Sequence, residues 1–288
     1  MVTVLGIRVS PALLKRWAGW LAPDPQPFFV ESPDDWPGRL GAWDELSQEL
    51  ISTYQLWGIP HSAQIVWISA SDFAALPRRR RAELVRAQVT AGRAVPTVRA
   101  WRGVLDGAVL HEQADGHRFV WWPELLEGIG PHVLASVVSR DRLPSRHNEV
   151  RAETWRRCAR VLPQAQELAG TFVEAGGPHC FSTVMAAAGL PDSTPWETTE
   201  PFDEWLRVSA VSTGRGSSID LDRRIGTVYV WRTLDGTSFH AAVGIGDGWA
   251  LEKPSVDWHS PRAIVSVPDL IRSNTYRGQR LSRYRLLG

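Results

Sequence analysis

The sequence predicts an α+β protein with two domains. Helical and strand-like patterns of apolar residues are mixed in the first half of the chain. The second half carries short helical patterns and then three strand patterns joined by tight turns, which indicates an antiparallel meander. A polar stretch at 139–149, broken by Pro144, separates the halves. We therefore expect a mixed α/β domain over 1–145, and a domain over 150–288 in which a cysteine-bearing helix packs on the antiparallel strands.

Apolar spacing places the elements of the first half. Ser10 followed by Pro11 is typical of a helix start, since serine caps a helix and proline fits its first turn. Similar reasoning predicts helices at about 10–21, 43–57, 71–90 and 131–139 and strands at 64–69, 107–111 and 117–122. This half resembles no family that we recognise. Its role is left open between substrate specificity and partner binding.

Composition excludes several classes of function. The 43% hydrophobic and 22% charged content of the 288 residues is typical of a soluble globular protein. The 32 basic and 31 acidic residues nearly cancel, so we expect no nucleic-acid or membrane partner. The N-terminus lacks the order of a secretory signal, which favours a cytoplasmic location. No metal-ligand spacing is present, so we expect no metal and no cofactor; the oligomeric state is left open.

Cys180 lies in the segment GGPHCFSTVMAAAGLP. Apolar residues after it recur at helical spacing, so Cys180 is predicted in the first turn of a short helix. Unpaired N–H groups and the helix dipole there favour an anion, and they lower the pKa of a thiol. The alternative is a buried apolar filler. Cys158 fits that alternative, because it lies on the inner stripe of a longer helix.

His240 and Glu252 lie in the predicted meander. Its strands are expected at 227–233, 237–245 and 249–253, joined by Asp235-Gly236 and by Gly246-Asp247-Gly248. The second turn brings the two side chains near to opposition on neighbouring strands. A carboxylate beside an imidazole would orient the ring and stabilise the imidazolium. Taken singly, each residue could be structural; together with Cys180 they favour a catalytic triad.

The C-terminal half resembles the NlpC-type branch of the papain-like cysteine peptidases over residues 150–288. The likeness rests on a cysteine opening a helix, on the strand lead-in from Ile225 to Val230, and on the run from His240 to Gly248. The resemblance implies a papain-like fold, with Cys180 as nucleophile, His240 as base and Glu252 as the orienting residue.

The predicted function is a cysteine-dependent peptidase or amidase that acts on a peptide or small amide through an acyl-enzyme. Transfer of the acyl group to an amine is an alternative on the same triad. A non-catalytic binding module is another, since Phe172 lacks the hydroxyl that the family often has nearby. Trp249 and Trp258 flank the strand of Glu252 and are predicted, with Phe172, to contact substrate.

Overall fold

Helices and antiparallel strands alternate along the chain in a computed structural model that describes residues 2–127, 130–140, 142–191, 199–213 and 219–287. The described strands form sheets of two, six, three and two strands, so the predicted α+β class is confirmed. The chain divides into two units. One contains Met1–Val2 and Arg8–Arg140, and the other contains Thr3–Ile7 and Asp141–Gly288.

The first part of the chain, up to Ser139, contains short elements. They are β1 (Val2–Val4), β2 (Ile7–Val9), α1 (Pro11–Leu21), β3 (Gln26–Val30), β4 (Arg39–Gly41), α2 (Gln48–Tyr54), β5 (Gln64–Ile68), α3 (Ala70–Ala75), α4 (Arg78–Ala91), α5 (Val98–Trp101), α6 (Gly107–Gln113), β6 (Ala114–Asp115), β7 (Arg118–Phe119), α7 (Pro123–Glu127) and α8 (Pro131–Ser139), with 3-10 turns at Pro33–Asp35, Trp43–Glu45 and Leu56–Gly58.

The main sheet of this part has the order β3-β5-β4. On the free side of its edge strand β3, backbone groups form hydrogen bonds with a side chain of α4 rather than with another strand. The Gln88 amide accepts from the Phe29 N–H at 2.8 Å and donates to the Phe29 carbonyl at 2.9 Å. A side-chain amide thus replaces a missing strand, which leaves few backbone groups of β3 unpaired.

Two helices predicted here differ from those observed. The helix predicted at 43–57 is only Gln48–Tyr54, because the Ser47 hydroxyl caps it by accepting from the Leu50 N–H at 3.3 Å. The helix predicted at 71–90 is two helices, capped first at Ser69 and interrupted at Pro77. Local capping and proline therefore outweigh the longer apolar period.

The strand predicted at 107–111 is wrong, since these residues belong to α6. The Asp106 carboxylate accepts from the Ala108 N–H at 2.7 Å and so starts the helix. The cap decides between helix and strand in a segment whose short apolar run is compatible with either.

The second part of the chain holds one six-stranded antiparallel sheet with helices around it. Its elements are a 3-10 turn at His147–Glu149 and α9 (Ala152–Cys158), α10 (Ala165–Leu168), α11 (Cys180–Ala187), α12 (Thr199–Ser209), β8 (Ala210–Ser212), α13 (Ile219–Asp222), β9 (Ile225–Arg232), β10 (Ser238–Gly246), β11 (Trp249–Glu252), β12 (Ala263–Ser266), α14 (Val267–Asn274) and β13 (Arg280–Leu286). The strand order is β12-β11-β10-β9-β13-β8, and the predicted meander corresponds to β9, β10 and β11.

Helices cover both faces of this sheet. On one face, Phe181 and Val184 of α11 pack with Ala241, Val243 and other buried residues of the strands. On the other face, Leu270 of α14 belongs to a second buried cluster with residues of β9 to β12. Each large apolar side chain buried in this way contributes roughly 1.5–3 kcal/mol. This packing fixes where the N-terminus of α11 lies on the sheet.

Asp247 anchors the turn between β10 and β11. Its carboxylate accepts hydrogen bonds from the Thr154 hydroxyl at 2.6 Å and from the guanidinium groups of Arg157 at 2.8 Å and Arg151 at 3.0 Å. The Thr154 and Arg157 bonds lower the pKa of Asp247 to about 2. The turn that joins the strands of His240 and Glu252 is therefore tied to helix α9.

Candidate active site

The nucleophile predicted from the sequence is the first residue of α11. Gly177, at φ 122°, turns the chain just before the helix, in a conformation that side-chain-bearing residues rarely adopt. His179 caps the helix: its Nδ1 accepts from the Phe181 N–H at 3.1 Å, and its own N–H donates to the Ser182 hydroxyl at 2.9 Å. Cys180 thus lies at the positive end of the helix dipole.

The two cysteines have opposite environments. Cys158 is buried, and burial raises the pKa of its thiol to about 12. Cys180 is partly exposed. Desolvation would raise the pKa of the Cys180 thiol as well, but the imidazoles of His240 and His179 together lower it to about 6. At neutral pH Cys180 is therefore the thiolate, the form that attacks carbonyl carbon, whereas Cys158 is a thiol within the core.

His240 lies on β10 with its ring between the thiol and a carboxylate. Its Nε2 is 3.4 Å from Oε2 of Glu252, and both side chains are at most 6% exposed. Burial would lower the pKa of His240, but the Cys180 thiolate and the Glu252 carboxylate raise it to about 10. The ring also contacts Trp231, with the ring centroids 5.4 Å apart. The three residues thus form a thiolate, an imidazolium and a carboxylate in sequence.

Strand register explains how Glu252 reaches the ring. Glu252 is the pairing partner of Ala242, with a register shift between Gly244 and Gly246. His240 lies two residues before Ala242 and on the same face of β10. The pair is therefore diagonal rather than opposed, which a long glutamate side chain spans.

Asn274 is a further site residue that sequence reasoning missed. It lies at the end of α14, and its Nδ2 donates to Oε2 of Glu252 at 3.0 Å and to the Leu270 carbonyl at 3.0 Å. The amide holds the carboxylate from the side of the helix. The sequence offers no signal for this role, because an asparagine at a helix end is common for capping alone.

His179 is the second residue that the sequence did not assign. Its position directly before Cys180 argues against a ring alongside the thiol, yet the imidazole lies close enough to lower the pKa of Cys180. The capping conformation explains this, because bonding to the Phe181 N–H turns the ring back over the first turn of the helix.

The predicted substrate contacts have little exposed surface. Phe172 is 7% exposed and Trp258 is 1% exposed, so packing is the role that their positions support. Trp249 is half-buried beneath the guanidinium of Arg146, whose carbon lies 4.5 Å from the ring centroid. A ring with so little free face offers a ligand no stacking platform.

A small cavity of about 200 Å³ opens beside Glu252 and Asn274. The other lining residues are Arg142, Leu143, Pro254, Pro261, Ala263, Val265, Ser273 and Tyr276. Cys180 and His240 do not line it, so the cavity lies beside the Glu252 carboxylate rather than over the predicted nucleophile.

The residues that the structure describes include neither a metal-binding cluster nor a membrane-spanning helix. Among those residues no group of three or more His, Cys, Asp or Glu side chains is arranged to hold a metal ion. None of the helices described is both long and apolar enough to cross a membrane.

Comparison with known proteins adds no relative. No protein-family model, no curated protein and no solved structure matches this chain. What the site can do is therefore argued from its own geometry and chemistry.

Replacing Glu252 with glutamine tests its orienting role. The amide keeps an oxygen for the Asn274 bond but removes the charge that helps to raise the pKa of His240. We expect catalysis at Cys180 to fall about a hundredfold, with little change in melting temperature. Asn274→Ala is the matched control, because it leaves the charge of Glu252 in place, and it should reduce the rate less than Glu252→Gln does. Equal activity of Glu252→Gln and the unmodified protein would contradict the assignment.

Proposed function

We propose that the protein is a cysteine-dependent hydrolase of the peptidase or amidase type, and that its second part is a papain-like domain of the NlpC type. The observation that carries the proposal is the position of the His240 ring, between a partly exposed thiol of lowered pKa and a buried carboxylate. The order of elements agrees with it: a helix that begins at the cysteine, then antiparallel strands that carry the histidine and the glutamate.

The chemistry follows from these roles. The Cys180 sulfur attacks the carbonyl carbon of an amide, and the π electron pair of the carbonyl moves to its oxygen. When the tetrahedral intermediate collapses, the C–N bond breaks and the His240 imidazolium gives its proton to the departing amine. Water then attacks the thioester, and neutral His240 accepts a proton from it. The C–S bond breaks, which releases the acid and restores the Cys180 thiolate beside the His240 imidazolium. Glu252, held by Asn274, keeps the ring aligned in both steps.

A generic acylating reagent tests the proposal without knowledge of the natural substrate. We expect p-nitrophenyl acetate to give a rapid burst of p-nitrophenol and an acetyl group on Cys180, located by mass spectrometry of peptides. Cys158 should stay unmodified, because it is buried and its pKa is raised. Acetylation confined to lysines, or no burst, would contradict the proposal. Adding a small amine afterwards separates hydrolysis from transfer, because a transferase forms the N-acetyl amine faster than acetate.

A further inference from the structure

The two nitrogen atoms of the buried His179 ring lie in different hydrogen-bonding environments. The residue is 4% exposed, and its Nδ1 accepts from the Phe181 N–H at 3.1 Å. Within the part of the chain that the structure describes, its buried Nε2 has no hydrogen-bond partner. The ring also contacts the ring of Phe181 edge-on, at 5.4 Å between centroids, which limits its rotation.

The bond at Nδ1 fixes the tautomer. A nitrogen that accepts a backbone N–H bond cannot carry a proton, so the neutral ring is protonated at Nε2. The Nε2 atom is therefore a donor. It cannot be a second base for Cys180, because one nitrogen has its lone pair engaged and the other has its hydrogen. What it can do is donate to negative charge beside it, which lies on the Cys180 sulfur at rest and on the carbonyl oxygen of a substrate after attack.

A buried donor that stays unpaired is costly, so the position of Nε2 beside the Cys180 sulfur favours an acceptor that gains negative charge there. We propose that Nε2–H of His179 and the backbone N–H of Cys180 together donate to the oxyanion that forms when Cys180 attacks a carbonyl. The inference rests on the proposed function. The Cys180 N–H, at the first position of the helix, has no acceptor within the helix, and the dipole of α11 favours negative charge at the same place.

The step is balanced without any further reagent. The S–C bond forms as the π bond of the carbonyl breaks, and the negative charge passes from sulfur to oxygen. The two N–H donors stabilise that oxygen while the charge is present. When the π bond reforms and the leaving group departs, the oxygen loses its negative charge and the two donors are released.

Two substitutions separate this role from that of the helix cap. His179→Asn places an amide where Nδ1 lies, so it keeps a cap for the Phe181 N–H but loses the distal donor. His179→Gln places its amide nitrogen near the position of Nε2, so it keeps the donor but weakens the cap. If His179 acts only as a helix cap, the glutamine variant should lose more of its acetylation rate than the asparagine variant. If His179 donates to the oxyanion, the asparagine variant should lose more of its acetylation rate than the glutamine variant.

Two reagents at the same sulfur supply the readout. Acetylation by p-nitrophenyl acetate passes through an oxyanion, whereas alkylation by iodoacetamide does not. Both rates are measured from pH 5 to pH 10 and compared at their plateaus, which removes any change in the thiol pKa. For His179→Asn we expect acetylation to fall about a hundredfold and alkylation to change less than about threefold. His179→Gln should recover most of the acetylation rate while its melting temperature falls.

Three results would overturn the inference. One is acetylation of His179→Asn at the unmodified rate. Another is a parallel fall of acetylation and alkylation in that variant, which would indicate a displaced thiol. The third is a glutamine variant, still folded by circular dichroism, that acetylates no faster than the asparagine variant. Failure of the proposed function looks different, because the unmodified protein would then be alkylated but never acetylated.

Discussion

Cys180→Ala is expected to abolish the p-nitrophenol burst and all acylation of the protein. In the proposed mechanism only the Cys180 sulfur forms a bond to substrate, so the loss should reach the detection limit, at least about a thousandfold. The melting temperature should change little, because the thiol is partly exposed at a helix start rather than enclosed in the core.

Cys158→Ala is the matched control for that variant. Cys158 is 1% exposed, and as the last residue of α9 it belongs to a buried core cluster, so loss of its sulfur leaves a small void and should cost about 1 kcal/mol of stability. Its burst should match that of the unmodified protein. A burst that survives in Cys180→Ala and disappears in Cys158→Ala would reverse the assignment of the two thiols.

His240→Gln is expected to slow the proposed catalysis by about a thousandfold, since it removes the imidazolium that would give its proton to the leaving amine. It should also change the pH dependence of iodoacetamide alkylation. In the unmodified protein the thiolate dominates above about pH 6 and is lost as the pH falls through that value. Without the imidazolium, only His179 still opposes the effect of burial, so the pKa of Cys180 rises from about 6 towards its ordinary value of 9.0.

The higher thiol pKa of His240→Gln predicts slower alkylation at neutral pH than in the unmodified protein. At pH 7 the thiolate fraction of the variant, and with it the alkylation rate, should be lower by about a hundredfold. The deficit should shrink as the pH rises towards 9 and beyond, because more of the variant thiol ionises. Alkylation of His240→Gln at the unmodified rate near pH 7 would mean that the ring does not stabilise the thiolate.

The sequence predicted those site residues whose signals are local. Cys180 follows a glycine-proline lead-in, and His240 and Glu252 lie on strands joined by a short turn, so turn geometry alone brings the strands together. Their diagonal pairing was not predictable, because it depends on the register shift at Gly244 and Gly246. An irregularity of one residue in a strand is a product of packing and leaves little trace in periodicity.

The residues that the sequence missed are fixed by contacts of another kind. Asn274 reaches Glu252 only because α14 packs over β11 and β12, which no local pattern records. His179 depends on a capping conformation that turns its ring back on the helix. Phe172 and Trp258, in contrast, were predicted to contact substrate but are buried. Their chemistry suits ligand stacking, but burial in the fold leaves them little free surface.

A thiolate–imidazolium pair of Cys180 and His240 at neutral pH underlies every step of the proposed reaction. Thiolate absorbs in the ultraviolet where thiol does not, so a pH titration of the unmodified protein minus that of Cys180→Ser measures the ionisation of this one sulfur. We expect the difference absorbance to appear with an apparent pKa near 6. Absorbance that appears only near pH 9, as for an ordinary cysteine, would contradict the ion pair and the catalytic site built on it.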